Sequence, residues 1–322
     1  MVKISDVSVM MFPWGVETPK VSEIVEAAQL AEELGFYSVT LPMHMTMPPG
    51  WLFTTFPNQG VLDAMVVLPA IAAGTKTLRL GTNSALLPLL PPYEWAKYFS
   101  TLDVMSEGRV IIGAAMGGWH EDFGSVGVNS KKRGKLFDEQ LEILTRLWTE
   151  DRITFEGEHY QIDDIPMQPR PVQAKPPIWI GGGVKSIDRA AKYGECIVPF
   201  WPSPDDVRDL WKPKLMEAAA RFGTTPKLSS FTFAYIADSD EDLEKYMPVL
   251  RNCVAFEDPS IEPSNVTISG SPEQCAEKIM ALSDAGIDHF VVEFQFHGLE
   301  SVAFGMNQLE KFATKVAPLL TD

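Results

Sequence analysis

At 322 residues, 45% hydrophobic and 22% charged, the chain is long and apolar enough to bury a large core, which excludes intrinsic disorder as its resting state. A formal net charge of −16 opposes nucleic acid and anionic membrane surfaces, so neither is an expected partner and a small-molecule substrate is favoured. Cys196, Cys253 and Cys275 lack CxxC spacing, no apolar run approaches the roughly 18 residues of a membrane span, and no signal segment precedes the first strand, so a cytoplasmic protein with reduced thiols is expected.

In chain order, Ile4 to Phe12 reads as a strand and Val21 to Leu34 as an amphipathic helix, with Ile24, Ala27, Ala28 and Ala31 on one face and Gly35 at its end. Phe36 to Leu41 is the second strand, and Leu62 to Ala73 a helix stopped at Gly74. Leu78 to Ser84 runs apolar like a buried strand. Pro91 and Pro92 then open a helix carrying Trp95, Phe99 and Leu102, and Glu107-Gly108-Arg109 turns into a fourth strand, Val110 to Ala115. Such a strand, crossover, strand unit favours a parallel sheet, whose neighbours need a long connection.

Phe137 to Thr149 is helical, and residues 152–164 alternate about Glu156-Gly157 as an inserted β-hairpin. The proline-rich run from Pro166 to Pro177 reads as a surface loop. Pro176 to Ile180 supplies the fifth strand and leads through Gly181-Gly182-Gly183 into a helix ending at Tyr193. Cys196 to Phe200 is the sixth strand, Leu228 to Ile236 the seventh and Ile287 to Phe294 the eighth, with helices at Asp205 to Phe222, Glu241 to Leu250, Pro272 to Ala285 and Ser301 to Leu319. Eight strands, each followed by helix and with no linker composition, predict an α/β fold: one (β/α)₈ TIM-barrel domain spanning residues 1–322.

Working groups of a barrel project from the C-terminal strand ends. Those ends offer Phe12 and Trp14; His44; Thr82, Asn83 and Ser84; Ala115, Met116 and Trp119; Gly181 to Gly183; Phe200 and Trp201; and Glu293, Gln295 and His297. The set is apolar, aromatic and small. With no HExxH, GxSxG or Walker loop, metal or serine hydrolysis is disfavoured, and a flat aromatic cofactor that brings its own reactivity suits the mouth better. Trp14, Trp51, Phe53, Phe56 and Trp201 cluster in loops there. They read either as an apolar substrate pocket or as a subunit interface.

Six segments carry a family resemblance: AAQLAEELGFYSVTLPMH, LRLGTNSALLPL, LDVMSEGRVIIGAAMGGWHEDF, RGKLFDEQLEILTRLWTE, ITFEGEHY and PPIWIGGGVKSIDRAAKYGE. Together they resemble the bacterial luciferase-like family of flavin- and deazaflavin-dependent oxidoreductases over most of the chain. The resemblance implies a cofactor ring in the barrel mouth, lined by Ala115, Met116 and Trp119, and a phosphate near Gly182, Gly183, Val184, Lys185 and Ser186. Glycines permit close approach there, and free N–H groups suit an anion. His44 matches the family's active-site histidine and is the expected proton-transfer residue, although Met43 replaces the carboxylate that relatives often carry beside it. Thr82, Asn83 and Ser84 fall where relatives hold a non-proline cis peptide beneath the ring, expected at Thr82–Asn83. Met116 departs from both the phosphate-binding Arg and the proton-donating Glu found near this position in different branches.

The activity that follows is a flavin-dependent monooxygenase: reduced FMN and oxygen acting on a small apolar substrate, with a separate flavin reductase as a candidate partner and a homodimer as the expected assembly. Hydride transfer by the deazaflavin coenzyme F-420 is the alternative reading. A non-catalytic flavin-binding relative is the third.

Overall fold

The computed structural model describes residues 1–12, 18–46, 62–257, 260–295 and 299–320. Trp14, Trp51, Phe53, Phe56 and His297 lie outside the described residues. The strands are β1 (Val7–Met10), β2 (Ser38–Leu41), β3 (Arg79–Leu86), β4 (Val110–Ala115), β5 (Ile153–Glu156), β6 (Gln161–Ile165), β7 (Ile178–Gly181), β8 (Cys196–Val198), β9 (Lys227–Ile236), β10 (Ile268–Gly270) and β11 (His289–Glu293). Parallel pairing runs β11-β1-β2-β3-β4-β7-β8-β9 and closes through β9 on β11, giving the eight-stranded barrel that the alternating pattern predicts.

Residue alternation sorts side chains to the two faces of this ring. Val9, Val39, Leu80, Val110, Ile112, Ile180 and Val292 face the surrounding helices and join one large apolar core with them. Met10, Ile111, Trp179, Cys196, Val198, Phe231, Phe233 and Val291 form a second cluster inside the barrel. Toward the N-terminal strand ends, Ser8 Oγ lies 2.7 Å from Ser38 Oγ and 2.8 Å from His289 Nε2. The rings of Tyr37 and Trp179 pack edge-on against His289, each with centroids 4.9 Å away.

Burial, reinforced by the Lys227 ammonium, lowers the pKa of His289 from 6.5 to about 3. Between those values the unfolded chain holds a proton that the folded chain refuses, so stability is present above pH 6.5 and falls as pH drops toward 3. Urea unfolding at pH 6.5 and pH 5 should therefore differ by about 2 kcal/mol from this group alone. A His289→Gln variant should lose that part of the slope; an unchanged slope would assign it elsewhere.

Several elements depart from their sequence expectation for local reasons. Ile4–Asp6 is a 3₁₀ turn rather than strand, because Asp6 accepts the Lys3 backbone N–H at 2.9 Å and closes the chain on itself. β8 stops at Val198, before Pro199 removes a donor, although Phe200 still bridges to Phe231. β10 was not expected; it pairs with β9 at the edge and lies outside the ring. The helix expected from Asp205 to Phe222 contains a π turn at Val207–Trp211. β5 and β6 form the expected hairpin, and the Glu139 carboxylate of the helix Arg133–Thr149 holds it by accepting the backbone N–H groups of Glu158, His159 and Tyr160. Among the described residues, no helix is long and apolar enough to cross a membrane.

Candidate active site

A cavity of about 460 Å³ opens at the C-terminal end of the barrel, within the range that small-ligand and cofactor sites occupy. Its walls are Met10 and Phe12 from the end of β1, Pro42 and His44 after β2, Asn83, Ser84 and Leu86 of β3, Ala115 to Trp119 after β4, Gly181 and Gly182 after β7, and Phe200 and Phe231. A larger cavity of about 780 Å³ lies at the opposite end, beside Asp6, Lys212, Lys227 and Asp288. Barrel chemistry belongs to the C-terminal face, and the sequence-selected groups converge there.

The mouth presents bare backbone at Gly117 and Gly118 after β4 and at Gly181 and Gly182 at the end of β7. A Cβ on Gly181 would lie 2.9 Å from Ser84 Oγ. β3 also bulges: Thr82 pairs with Ile112 but Ala85 with Ala114, three steps against two. The extra length carries Asn83 and Ser84 into the cavity, where Asn83 Nδ2 reaches Met10 Sδ at 3.4 Å. The cis peptide bond falls between Asn83 and Ser84, one residue beyond the expected Thr82–Asn83. Thr82 itself is turned away; it is buried, and its Oγ1 donates to the Gly113 carbonyl at 2.8 Å.

His44 is held by a residue that sequence reasoning missed. The fully buried Asp122 carboxylate lies 2.8 Å from His44 Nδ1 through Oδ2, while Oδ1 accepts the backbone N–H groups of Met45 at 2.7 Å and Thr46 at 3.1 Å. One carboxylate thus fixes both the ring and the loop that carries it. With Nδ1 directed to Asp122, acid–base exchange falls to Nε2. The indole of Trp119 stacks on the imidazole, centroids 3.9 Å apart and planes 21° from parallel.

Asp122 belongs to a short helix, His120–Ser125, seated by Phe123, which packs with Leu86 and Leu89. Gly117, at φ +77°, lets the chain turn over that ring; a Cβ there would meet Phe123 at 3.0 Å. The segment Gly117-Gly118-Trp119-His120-Glu121-Asp122-Phe123 offers two carboxylates, Glu121 and Asp122, in the first turn of a helix that starts at the barrel mouth, and only the fold selects Asp122.

The other expected residues divide. Ala115, Met116, Trp119, Asn83, Ser84 and Gly182 line the cavity. Gly183, Val184, Lys185 and Ser186 stand beyond its described wall, in the turn that enters the helix Ile187–Tyr193. Ser186 is buried beneath Gly182, whose φ of +134° brings the backbone over its Oγ. Trp201 does not touch the cavity. It packs behind the Phe231 wall, edge-on to Phe200 and tilted against Phe233 at 5.5 Å, and its backbone N–H donates to the Phe231 carbonyl.

Thiol chemistry has no support: the three cysteines are buried, and burial pushes each thiol up, that of Cys275 to about 12. Among the described residues, no cluster of His, Cys, Asp or Glu is placed to hold a metal ion.

The model of the luciferase-like monooxygenase family matches residues 9–263. The chain belongs to that family. It is 29% identical over 308 residues to an F420-dependent glucose-6-phosphate dehydrogenase of Microbacterium testaceum, covering 87% of this chain and 89% of that one. Among solved structures, an F420-dependent secondary alcohol dehydrogenase in complex with an F420-acetone adduct superposes over 100% of both chains with a TM-score of 0.81 at 21% identity. The oxygenating constituent of 3,6-diketocamphane monooxygenase from Pseudomonas putida, in complex with FMN, superposes over 99% of both with a TM-score of 0.76 at 21% identity. Family membership makes the protein an oxidoreductase of the flavin type, and the relatives use FMN or the deazaflavin F420.

A planar tricyclic ring fits the residues present. The cavity is bounded by apolar side chains, Met10, Phe12, Leu86 and Phe231, with hydrogen-bonding groups at Asn83 and Ser84 and bare backbone at Gly181 and Gly182. Beside it, no described residue comes within 4 Å of where a Cβ on Gly118 or Gly183 would stand, which suits the rim to a ligand's side chain.

Proposed function

We propose that the chain is a deazaflavin-dependent oxidoreductase that moves a hydride between coenzyme F-420 and a small, uncharged alcohol or ketone. The observation that carries this reading is the His44–Asp122 pair at an apolar cavity. Among the described lining residues, His44 is the sole titratable side chain. An alcohol and ketone couple needs one such group. His44 Nε2 would take the hydroxyl proton when an alcohol is oxidised and return it when a ketone is reduced, while the bound cofactor would supply the two-electron acceptor and donor that balances the change.

The Asp122 carboxylate at Nδ1 holds the ring so that Nε2 is the nitrogen presented for proton exchange. Trp119 covers one face of the imidazole and limits its rotation. Met10, Phe12, Leu86 and Phe231 exclude water from the reacting atoms. When bound, F-420 supplies a two-electron hydride acceptor and donor, held by Asn83 and Ser84 at its edge and with Gly182 to Ser186 at its phosphate end. The long curated relative and the solved structure of higher TM-score are both named for F420, and Met116 leaves His44 to do the proton work without a second acid at that position. The apolar walls suit a neutral alcohol better than the sugar phosphate named for that relative.

Monooxygenation with reduced FMN is kept as a second reading because the diketocamphane enzyme shares the fold and the cavity is apolar. It would need a partner reductase to supply the reduced flavin. Titrating the purified protein with F-420 and, separately, with reduced FMN distinguishes the two. The expected result is tight F-420 binding and its reduction by secondary alcohols without oxygen uptake. Binding of reduced FMN alone, with oxygen consumed in step with an oxygenated product, would overturn the hydride reading and install the second.

A further inference from the structure

Phe200 is held at the cavity wall with its ring open. β8 ends at Val198, yet the chain beyond it stays strapped to β9: the Phe231 backbone N–H donates to the Pro199 carbonyl and the Trp201 N–H to the Phe231 carbonyl, each at 2.9 Å. Phe200 lies between these two bonds, bridged to Phe231, so its backbone is fixed. Trp201, at a left-handed φ of +46° that bulky residues rarely adopt, turns the chain directly after it and takes the indole behind the wall, 6% exposed. Phe200 stays in front: it lines the cavity and is 58% exposed, braced edge-on by Phe231 and Trp201 at centroid distances of 5.2 and 6.0 Å. Phe12 and Phe231, which line the same cavity, are each 1% exposed. A large apolar ring that is rigidly held yet left uncovered at a cavity is a surface for a ligand to bury.

The order of strands around the ring says which ligand. β3, β4 and β7 are neighbours, and their ends bring Asn83, Ser84 and the bare backbone of Gly117, Gly118, Gly181 and Gly182, the groups suited to the cofactor. β8, β9, β11 and β1 form the other arc, which brings Phe200, Phe231, Met10 and Phe12 to the cavity and no hydrogen-bonding side chain with them. β2, which carries His44, stands between β1 and β3, where the two arcs meet. A substrate that turns its oxygen to His44 and its reacting carbon to the cofactor therefore lays the rest of its skeleton along the phenylalanines. We propose that Phe200 is the specificity-determining contact of this arc and that it selects an alcohol or ketone bearing an aromatic ring. This deepens the hydride-transfer reading and rests on it for the identity of the reacting group. An aromatic ring can meet Phe200 edge-to-face or offset-stacked and so gains an electrostatic contact beyond the area buried, which a saturated ring of the same size lacks.

Two pairs of probes that differ only in ring saturation test this. For turnover with F-420 they are 1-phenylethanol and 1-cyclohexylethanol; for direct binding to the cofactor-free protein, followed by calorimetry, they are acetophenone and cyclohexyl methyl ketone. The phenyl member should be favoured by about tenfold in kcat/KM and in Kd, the upper worth of one aromatic pair. Phe200→Leu keeps the site apolar and should bring both ratios close to one, whereas Phe200→Tyr should retain them. Neither variant should move Tm, because an exposed side chain contributes little to packing. The inference falls if the natural protein shows no phenyl preference, if it binds neither ketone, if Phe200→Leu leaves the ratios intact, or if that variant lowers Tm by several degrees, which would give the ring to the fold. Absence of turnover with F-420 alongside the expected ketone ratios would sink the hydride reading alone, because the binding measurement does not require the cofactor.

Discussion

His44→Ala should reduce turnover by about 10²- to 10⁴-fold, the range expected for loss of a positioned acid–base group, with little change in cofactor affinity. The imidazole lies at the edge of a wall otherwise built from apolar side chains and backbone, so its removal takes away proton transfer and little binding surface. Asp122→Asn is the sharper variant. The amide oxygen can still accept the Met45 and Thr46 N–H groups, now at 2.7 and 3.1 Å from the carboxylate, so the loop keeps its shape. The amide nitrogen, however, would face His44 Nδ1 and donate to it, which moves the ring proton to Nε2 and presents the wrong tautomer to an alcohol. Turnover in the oxidation direction should fall by about 10²-fold with Tm nearly unchanged. Steady-state kinetics of both variants, with Kd for the cofactor measured in parallel, decide the matter. Full turnover in His44→Ala would remove its assigned role, and full turnover in Asp122→Asn would reduce Asp122 to a loop anchor.

The barrel was legible because its signals are local. β4 lies where the apolar run Val110 to Ala115 ends in small residues, and the helix Val21–Glu33 buries the four residues that its 3.6-residue spacing selects. Gly35, expected at the end of that helix, does adopt a left-handed φ of +84°. What the sequence hid depends on contacts between distant segments. Asp122 reaches His44 across 78 positions, and nothing in its local pattern separates it from the neighbouring Glu121. The cis bond at Asn83–Ser84 was displaced by one residue because a bulge belongs to a strand pair, and the register of β3 on β4 is set by both. Trp201 carried its expected position near the mouth but not its layer, since whether an aromatic lines a wall or stands behind it depends on the residue in front, here Phe231.

The largest effect on the fold is expected at Gly81. A Cβ there would stand 1.7 Å from the Ile111 carbonyl oxygen, and one on Gly113 would stand 2.1 Å from that of Thr82. Both obstacles are backbone of the adjacent strand, so neither can swing aside as a side chain would. Gly81 and Ile111 are direct partners in the β3–β4 ladder, and relief requires the two strands to part. Gly81→Ala should therefore cost more than about 4 kcal/mol, in the range that marks a named structural fault, and appear as insoluble protein or a Tm lowered by about 10 °C or more. Near-native melting would mean that the strands are not so close. The bulge that delivers Asn83 and Ser84 to the cavity begins one residue further on, after Thr82, so parting the strands at Gly81 should disturb the site together with the fold. Gly183 offers the contrast, with open space around its missing Cβ and a φ of −79° that any residue accepts. Gly183→Ala should leave Tm unchanged and weaken the cofactor through its phosphate end. Unaltered affinity there would move the phosphate away from the turn after β7, without disturbing the assignment of the ring to the mouth.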